Sequence, residues 1–511
     1  MANFKPDASF FRKIVIGAHG TQATGDDLAK YGHQMVELER GSTNTKLWKD
    51  VKRKRVRIPD LICKNCGRRV ESRAKTEPEL SMSHSDSDQE RSWDYGMLDD
   101  DWIAFPISVL TTSATWSKGI FRDKAAYWHE RDWSQWNVEG KINYFTVNAL
   151  RRIAPDATRR KGVTEGSELT LTWNAKFATC SGKVEALSDS MIKVRAHDGR
   201  VRSLRISPNS NTFVKTGDEV TKNQVLCAGP TPISDEALRC PKRLSNGFIE
   251  NCLVSRERTV RFSGVKLSRL CHMTRHRSLI IEIANDVQED LYVRPEAVAY
   301  LASIEDISVA KLFEEYLQSP DEQIRLESVI TIGEIGTNDS VELLGAILHD
   351  QKQEYFLRSA AAWALGNVQM VKSQELLRRA FADVRLDIRE EAADALVAIG
   401  KSVLPTLLPS IEEDNEDIAA GCAEVVRQLT GDAPITLTGI VQQLQQPSPP
   451  KWLVWLAGYM DPDELQAALA DPAALSPEVA YALSLLWSFS RSWITRRWEF
   501  QRGVFLNDNR V

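Results

Sequence analysis

Val56–Lys75 reads VRIPDLICKNCGRRVESRAK, a pattern that predicts two short strands, Val56–Cys63 and Arg69–Lys75, joined by a turn. Alternate residues of a strand point to one face, so Glu71, Arg73 and Lys75 share a side, and pairing of the strands brings Asp60 alongside. An aspartate and a glutamate held together suit a hard divalent cation, which takes oxygen ligands. A lysine on the same face would position or activate a water for attack on a phosphodiester. Arginine stays protonated in proteins, so Arg73 would clamp a phosphate and not act as a base. The competing reading of these residues is an ordinary hairpin carrying solvated charges.

Pro59-Asp60, then Glu71 and a basic residue two positions later, resembles the signature of the PD-(D/E)XK nuclease superfamily. Helix, strand, strand and further strand also follow in that superfamily's order. The resemblance implies Mg²⁺ (or Mn²⁺) held by Asp60 and Glu71, a water positioned by Lys75, and Arg73 at the scissile phosphate. It further implies an acidic residue of the first helix completing the metal site, with Glu37 or Glu39 available and Glu37 taken as the candidate. The chain departs from the pattern at one place. The superfamily's lysine would fall at 73, where Arg73 stands, and lysine comes instead at Lys75, reached through a bulge or else leaving the site degenerate.

Upstream, Gly25–Arg40 is expected to be the first helix, stopped by Gly41-Ser42-Thr43. Lys46–Arg57 (KLWKDVKRKRVR) is the most basic stretch of the chain. Lys52, Arg53, Lys54 and Arg55 are its candidates for the sequence-independent electrostatic part of nucleic-acid binding, against the reading of a charged edge that blocks aggregation. Cys63-x-x-Cys66 in the turn is half of a structural Zn²⁺ site. His84, Cys180, Cys227, Cys240, Cys252, Cys271 and His272 are its possible partners, none at a diagnostic spacing, and reduced, partly buried thiols are the alternative. Thr76–Ser92 is polar and is expected to be a flexible loop. Trp102–Leu110 should be a strand of the same core. Trp116, Trp128, Trp133 and Trp136 are read as core rather than as base-stacking platforms.

Between Gly166 and Pro230 the pattern changes to short alternating runs with glycine turns, an all-β module. Cys180-Ser-Gly-Lys-Val, Met191-Ile-Lys-Val, the turn His197-Asp-Gly-Arg200, and the run from Val214 to Pro230 are similar to a barrel-sandwich hybrid. The likeness is greatest to the module of that type in the beta subunit of bacterial RNA polymerase. Asn223 replaces a glycine of that pattern while tolerating a left-handed turn. The hairpin tip is Asp198-Gly199 and not a lysine, so no biotin or lipoate attachment is expected. Ser234–Glu282 is rich in arginine and lysine, and either continues the β module along a nucleic-acid path or is a connecting subdomain without that role.

From about Asp290 the chain repeats. Arg294, Arg325, Arg358 and Arg389 recur every 31–33 residues, each preceded by Val293, Ile324, Leu357 or Ile388. Apolar residues follow at fixed offsets of seven and ten. Amphipathic helices between the copies complete helix pairs that must stack to bury their faces. The spacing resembles short HEAT-type repeats. The recurrent arginine is expected to contact an acidic residue of a neighbouring repeat, such as Asp321 or Asp387. Gln442–Pro450 reads as a linker, and the Trp-rich tail from Lys451 as a helical cap.

The 511 residues are enough for about three domains. They carry a net charge of −5, so nucleic-acid binding must come from local patches. Eight cysteines in so long a chain are no disulfide framework, and no long apolar run suggests a membrane span. A cytoplasmic protein is expected. The reading is a multidomain α+β chain: a nuclease-like domain over 1–160, a β-rich barrel-sandwich-like module with a basic extension over 161–285, HEAT-like repeats over 286–440, and a helical cap over 451–511. The function expected is a metal-dependent endonuclease, with DNA ahead of RNA as substrate and a protein partner on the repeats. By analogy with such builds it would be a prokaryotic restriction or anti-phage effector. The alternative is a catalytically inactive nucleic-acid-binding adaptor that recruits its partner through the repeats.

Overall fold

The computed structural model describes residues 8–39, 58–110, 136–161, 169–207, 211–304, 308–430, 437–460, 462–469 and 475–488. The basic stretch with Lys52–Arg55, three of the four central tryptophans (Trp116, Trp128, Trp133) and the chain beyond Ser488 lie outside these residues. The chain divides into two units, Met1–Tyr300 and Leu301–Val511.

In the first unit, helix α1 runs over Ala8–Ala29 and ends at Gly32, whose φ of 87° is the left-handed conformation that releases a chain from a helix. The expected helix at Gly25–Arg40 is therefore displaced. Met35–Glu37 is strand β1, and Glu37 is a strand residue. Once Gly32 has turned the chain, this short segment finds its backbone partners in β2 (Leu61–Cys63), with Met35 opposite Cys63 and Glu37 opposite Leu61.

β2 turns into β3 (Arg69–Ser72) as expected, with Leu61 opposite Val70 and Ile62 opposite Arg69. Strand β4 (Leu80–His84) follows, then β5 (Trp102–Phe105), which adds to β3 in parallel. Strands β6 (Ser108–Leu110) and β7 (Trp136–Val138) form a separate pair. Strand β8 (Asn143–Thr146) closes a five-stranded sheet of order β1-β2-β3-β5-β8. One face of this sheet, with Leu61, Val70, Trp102, Ala104 and Tyr144, packs with Leu28 of α1. The other face, with Ile103, Phe105 and Phe145, packs with Leu80, Met82, Leu171 and Trp173. Leu80 and Met82 belong to the segment expected to be a flexible loop. β4 pairs with β10 (Leu169–Trp173), which also pairs with β9 (Thr158–Lys161). Two apolar residues at a spacing of two give the strand one buried face, and that is enough to pin its register. A short helix, α2 (Val147–Arg152), continues directly from β8.

The β module comprises β11 (Ala175–Phe177), β12 (Gly182–Ser188), β13 (Met191–Ala196), β14 (Val201–Arg205), β15 (Glu219–Val220) and β16 (Val225–Ala228). Four of these form a sheet of order β14-β13-β12-β15, while β11 pairs with β16. Val184, Ile192, Val194, Val220 and Leu226 fill its core. Asn223 takes φ 64°, the left-handed turn that asparagine tolerates, and Gly199 turns the β13–β14 hairpin at φ 83°. Helices follow, and not further strands of the β module. Ser234–Glu282 contains helices α3 (Asn246–Leu253), α4 (Arg258–Leu270) and the start of α5 (Arg277–Asn285). Its basic residues mislead a strand reading because two of them, Lys266 and Arg269, are buried within α4. Arg269 pairs at 2.7 Å with the fully buried Glu296 of α6 (Val293–Ile304).

The second unit is helical. Pairs stack through α7 (Val309–Leu317), α8 (Glu322–Ile335), α9 (Asn338–His349), α10 (Tyr355–Gly366), α11 (Val371–Arg379), α12 (Leu386–Ile399), the one-turn α13 (Leu404–Leu407) and α14 (Glu416–Thr430). The close approach of successive helices requires glycine: a Cβ on Gly333 would lie 2.6 Å from the Cβ of Ala364, and one on Gly366 would lie 2.8 Å from that of Ala395. Helix α15 (Leu437–Leu444) takes the first three residues of the expected linker. The tail supplies α16 (Lys451–Ala457), α17 (Pro462–Ala468) and α18 (Pro477–Ser488), with Trp452 and Trp455 buried. Among the described residues, no helix is long and apolar enough to cross a membrane.

Candidate active site

The register of the first hairpin is what assembles the acidic group. Continuing the β2–β3 ladder by one residue beyond Leu61 and Val70 sets Asp60 opposite Glu71, so both carboxylates leave one face of the sheet. Both are buried. Asp60 Oδ2 accepts a 2.8 Å hydrogen bond from the Ser72 amide, and the Asp60 carbonyl accepts from the Leu38 amide at 2.7 Å. The Asp60 carboxyl is pushed well above the usual carboxylate range by burial first, then by the charges of Glu71 and Glu39; the Ser72 amide and Arg73 pull the other way. Glu39, two residues past the end of β1, is thus an acid whose field reaches Asp60. Glu37 stands opposite Leu61, on the face that Leu61 and Val70 turn toward α1.

Arg73 and Lys75 take different surroundings. Arg73 Nη2 pairs with Glu71 Oε1 at 2.9 Å, and its Nε is buried with no hydrogen-bond partner among the described residues. Lys75 Nζ donates to Ser81 Oγ at 2.8 Å and lies 3.7 Å from Glu79. Burial pulls the Lys75 ammonium down to about 8, with Glu79 opposing and Arg73 adding to the fall. The Lys75 amide donates to Pro106 O and its carbonyl accepts from Ser108, bridging to the segment after β5. Of these two basic residues it is Arg73 that pairs with Glu71, while Lys75 is held by Ser81.

Sequence reading gave no role at this sheet to Lys266. From α4, 206 residues beyond Asp60 in numbering, it is almost fully buried, with its Nζ 3.5 Å from the carbonyl of Leu38. α4 also receives the next residue of the same strand face. Arg69 bonds Thr259 O and Ser263 Oγ at 3.4 Å each, while its Nε donates to Asp101 at 2.9 Å. Only the cluster of basic residues in the sequence hinted at this helix.

The turn of the hairpin brings together a second group. Cys63 Sγ lies 4.0 Å from Cys240 Sγ, and Cys66 Sγ lies 3.7 Å from His33 Nδ1. These four residues have their ligand atoms all within 4.8 Å of one another; no other group of histidine, cysteine or acidic side chains among the described residues converges so closely, Asp60, Glu71 and Glu39 included. Of the cysteine's expected partners only Cys240 is present in this set, and His33, unconsidered as a ligand, completes it.

Comparison with known proteins bears on the repeats. The family model for HEAT repeats matches residues 277–356, starting before the expected boundary near Asp290. No curated protein sequence matches the chain. Among solved structures, human deoxyhypusine hydroxylase in complex with glycerol is similar at 16% identity, over 49% of this chain and 85% of that one, with a TM-score of 0.19. The Escherichia coli protein YibA is similar at 15% identity, over 51% of this chain and 93% of that one, with a TM-score of 0.24. The chain is a mixed α+β protein with a strand-rich N-terminal region and a C-terminal helical repeat region, of which residues 277–356 match HEAT repeats.

Proposed function

We propose that the chain is a metal-dependent nuclease of the PD-(D/E)XK type whose helical repeats dock a protein partner. The observation that supports this most is that Asp60, one residue before β2, accepts from the Ser72 amide next to Glu71 on the antiparallel β3, with β5 adding in parallel to β3. The donor set fits a hard cation. Burial first, and then the charges of Glu71 and Glu39, disfavour the ionised form of Asp60, and a bound divalent ion would favour it. Asp60, Glu71 and Glu39 would hold Mg²⁺ or Mn²⁺, which, when bound, polarises a phosphodiester and lowers the pKa of a water. Arg73 neutralises Glu71 and keeps one N–H for a phosphate oxygen. Lys75, with its lowered affinity for a proton, is the residue able to give up that proton near neutral pH and so to orient or activate the water. Nucleic acid, DNA before RNA, would be guided to the hairpin by Lys52–Arg55, and a prokaryotic defence role is the analogy that this build suggests.

One observation favours the second reading, an inactive adaptor that binds nucleic acid: Lys75 is occupied by Ser81 and Glu79, and the carboxylates face an arginine. The experiment is cleavage of plasmid DNA, single-stranded DNA and RNA by the purified chain with Mg²⁺ or Mn²⁺, beside Asp60→Ala. Cleavage that the variant loses is the expected result. Binding without cleavage in both proteins would establish the adaptor instead.

A further inference from the structure

The four side chains at the hairpin turn come from three distant places. Cys63 ends β2 and Cys66 sits in the β2–β3 turn, His33 follows α1, and Cys240 lies 177 residues beyond Cys63. We propose that His33, Cys63, Cys66 and Cys240 bind one structural zinc ion, which staples these three segments together. The proposal is independent of any catalysis at Asp60 and Glu71.

Geometry carries it. A tetrahedral zinc with thiolate bonds of about 2.3 Å has ligand-to-ligand edges of about 3.8 Å, and the structure shows 4.0 Å between Cys63 and Cys240 and 3.7 Å between Cys66 and His33. All eight cysteines of the chain are free thiols. The histidine is prepared as a ligand: Nε2 lies 2.9 Å from the carbonyl of Leu238. That carbonyl can only accept, so Nε2 carries the hydrogen and donates it while Nδ1 turns its lone pair to the sulfurs, the outer-shell bond that metal-bound histidines make.

The backbone is built around the same point. Gly67 follows the second cysteine with φ 78°, and a Cβ there would come 2.4 Å from the ring of Phe248 in α3, so only glycine closes the turn under that helix. The Cys240 amide donates to Tyr31 O at 2.9 Å, and the Cys63 amide to Arg68 O at 2.9 Å. With four protein ligands the site is closed, as structural zinc sites are, and it leaves no position for a substrate. The neighbouring Cys271 is outside the set; its sulfur faces the carbonyl of Lys64 at 3.8 Å.

The test is the metal content of the full chain, purified without added metal, read by mass spectrometry. Cobalt reconstitution follows, for its thiolate-to-metal charge-transfer band and tetrahedral visible bands. One zinc per chain and a tetrahedral cobalt spectrum of three thiolates are expected. Cys240→Ser and His33→Ala should each release the ion to a chelator at least about tenfold more readily, while Cys271→Ser keeps one zinc per chain. Should the two ligand variants fail to fold, the cobalt spectrum of the unaltered chain still decides. A folded chain that holds no zinc and gives no tetrahedral cobalt spectrum, or zinc kept by Cys240→Ser and lost by Cys271→Ser, overturns the assignment.

Discussion

Lys75 shows how a single residue can be held against its own stability. Its charged form is disfavoured by burial, and its affinity for a proton falls from 10.5 to about 8. Between those values the unfolded chain binds the proton that the folded chain has lost, so stability rises with pH across that window, and the penalty is fully present below about pH 8. The cost at neutral pH is about 3 kcal/mol. Lys75→Met keeps the apolar stem and removes the charge, while Ser81 retains its bond to Glu79. The variant should melt at higher temperature than the parent at pH 7, with the gain vanishing toward pH 10, and it should not cleave nucleic acid. Paired thermal melts and cleavage assays check this. Loss of stability together with activity would assign Lys75 to structure instead.

Within the elements, the repeated arginines settle what their period means. Arg294, Arg325, Arg358 and Arg389 donate to the carbonyls of Ala284, Ser319, Leu348 and Asp383. Each of these carbonyls ends, or closely follows, the preceding helix, so each arginine satisfies carbonyls that the helix leaves unpaired. Two of the arginines add an acid of the next repeat, as expected, but the acids are Glu354 for Arg325 and Asp383 for Arg358. Asp321 instead caps the Gln323 amide, and Asp387 pairs with Arg385. Burial separates the two pairs. Arg358 and Asp383 are at most 4% exposed, whereas Glu354 is half exposed. Arg358→Met should cost about 3–5 kcal/mol by leaving Asp383 charged and buried, while Glu354→Gln should cost no more than about 1 kcal/mol. Urea titrations of both variants, with the Arg358→Met/Asp383→Leu double variant to recover part of the stability, read the difference.

At the scale of the whole molecule, a net charge of −5 gives no general attraction to nucleic acid and leaves binding to local patches. Lys52, Arg53, Lys54 and Arg55 form the densest such patch in the sequence. Replacing all four by alanine should weaken binding to every nucleic-acid sequence alike. The salt dependence should become shallower by about 0.9 for each phosphate of duplex DNA that is no longer neutralised. Filter binding across a salt series measures this, and an unchanged slope would place the binding patch elsewhere.

What can be read from the residues alone is local. The hairpin of Val56–Lys75 is two segments joined by a five-residue turn, so its pairing, and with it Asp60 opposite Glu71, is written within twenty residues. The repeat period is legible because each helix pair meets mainly its neighbours, and Asn223 because a left-handed turn constrains a single residue. The strand at Leu80–His84 escaped notice because its partner, β10, lies about ninety residues away. It took the folded chain to show that β1 rather than a helix carries Glu37, that Glu39 rather than Glu37 bears on Asp60, and that α4 brings Lys266 to the same sheet. The same is true of His33 and Cys240, which meet Cys63 and Cys66 only when the chain returns after the β module. Spacing along a chain records what neighbours do to one another; a cluster closed over 177 residues is set by packing, and packing leaves no period to read.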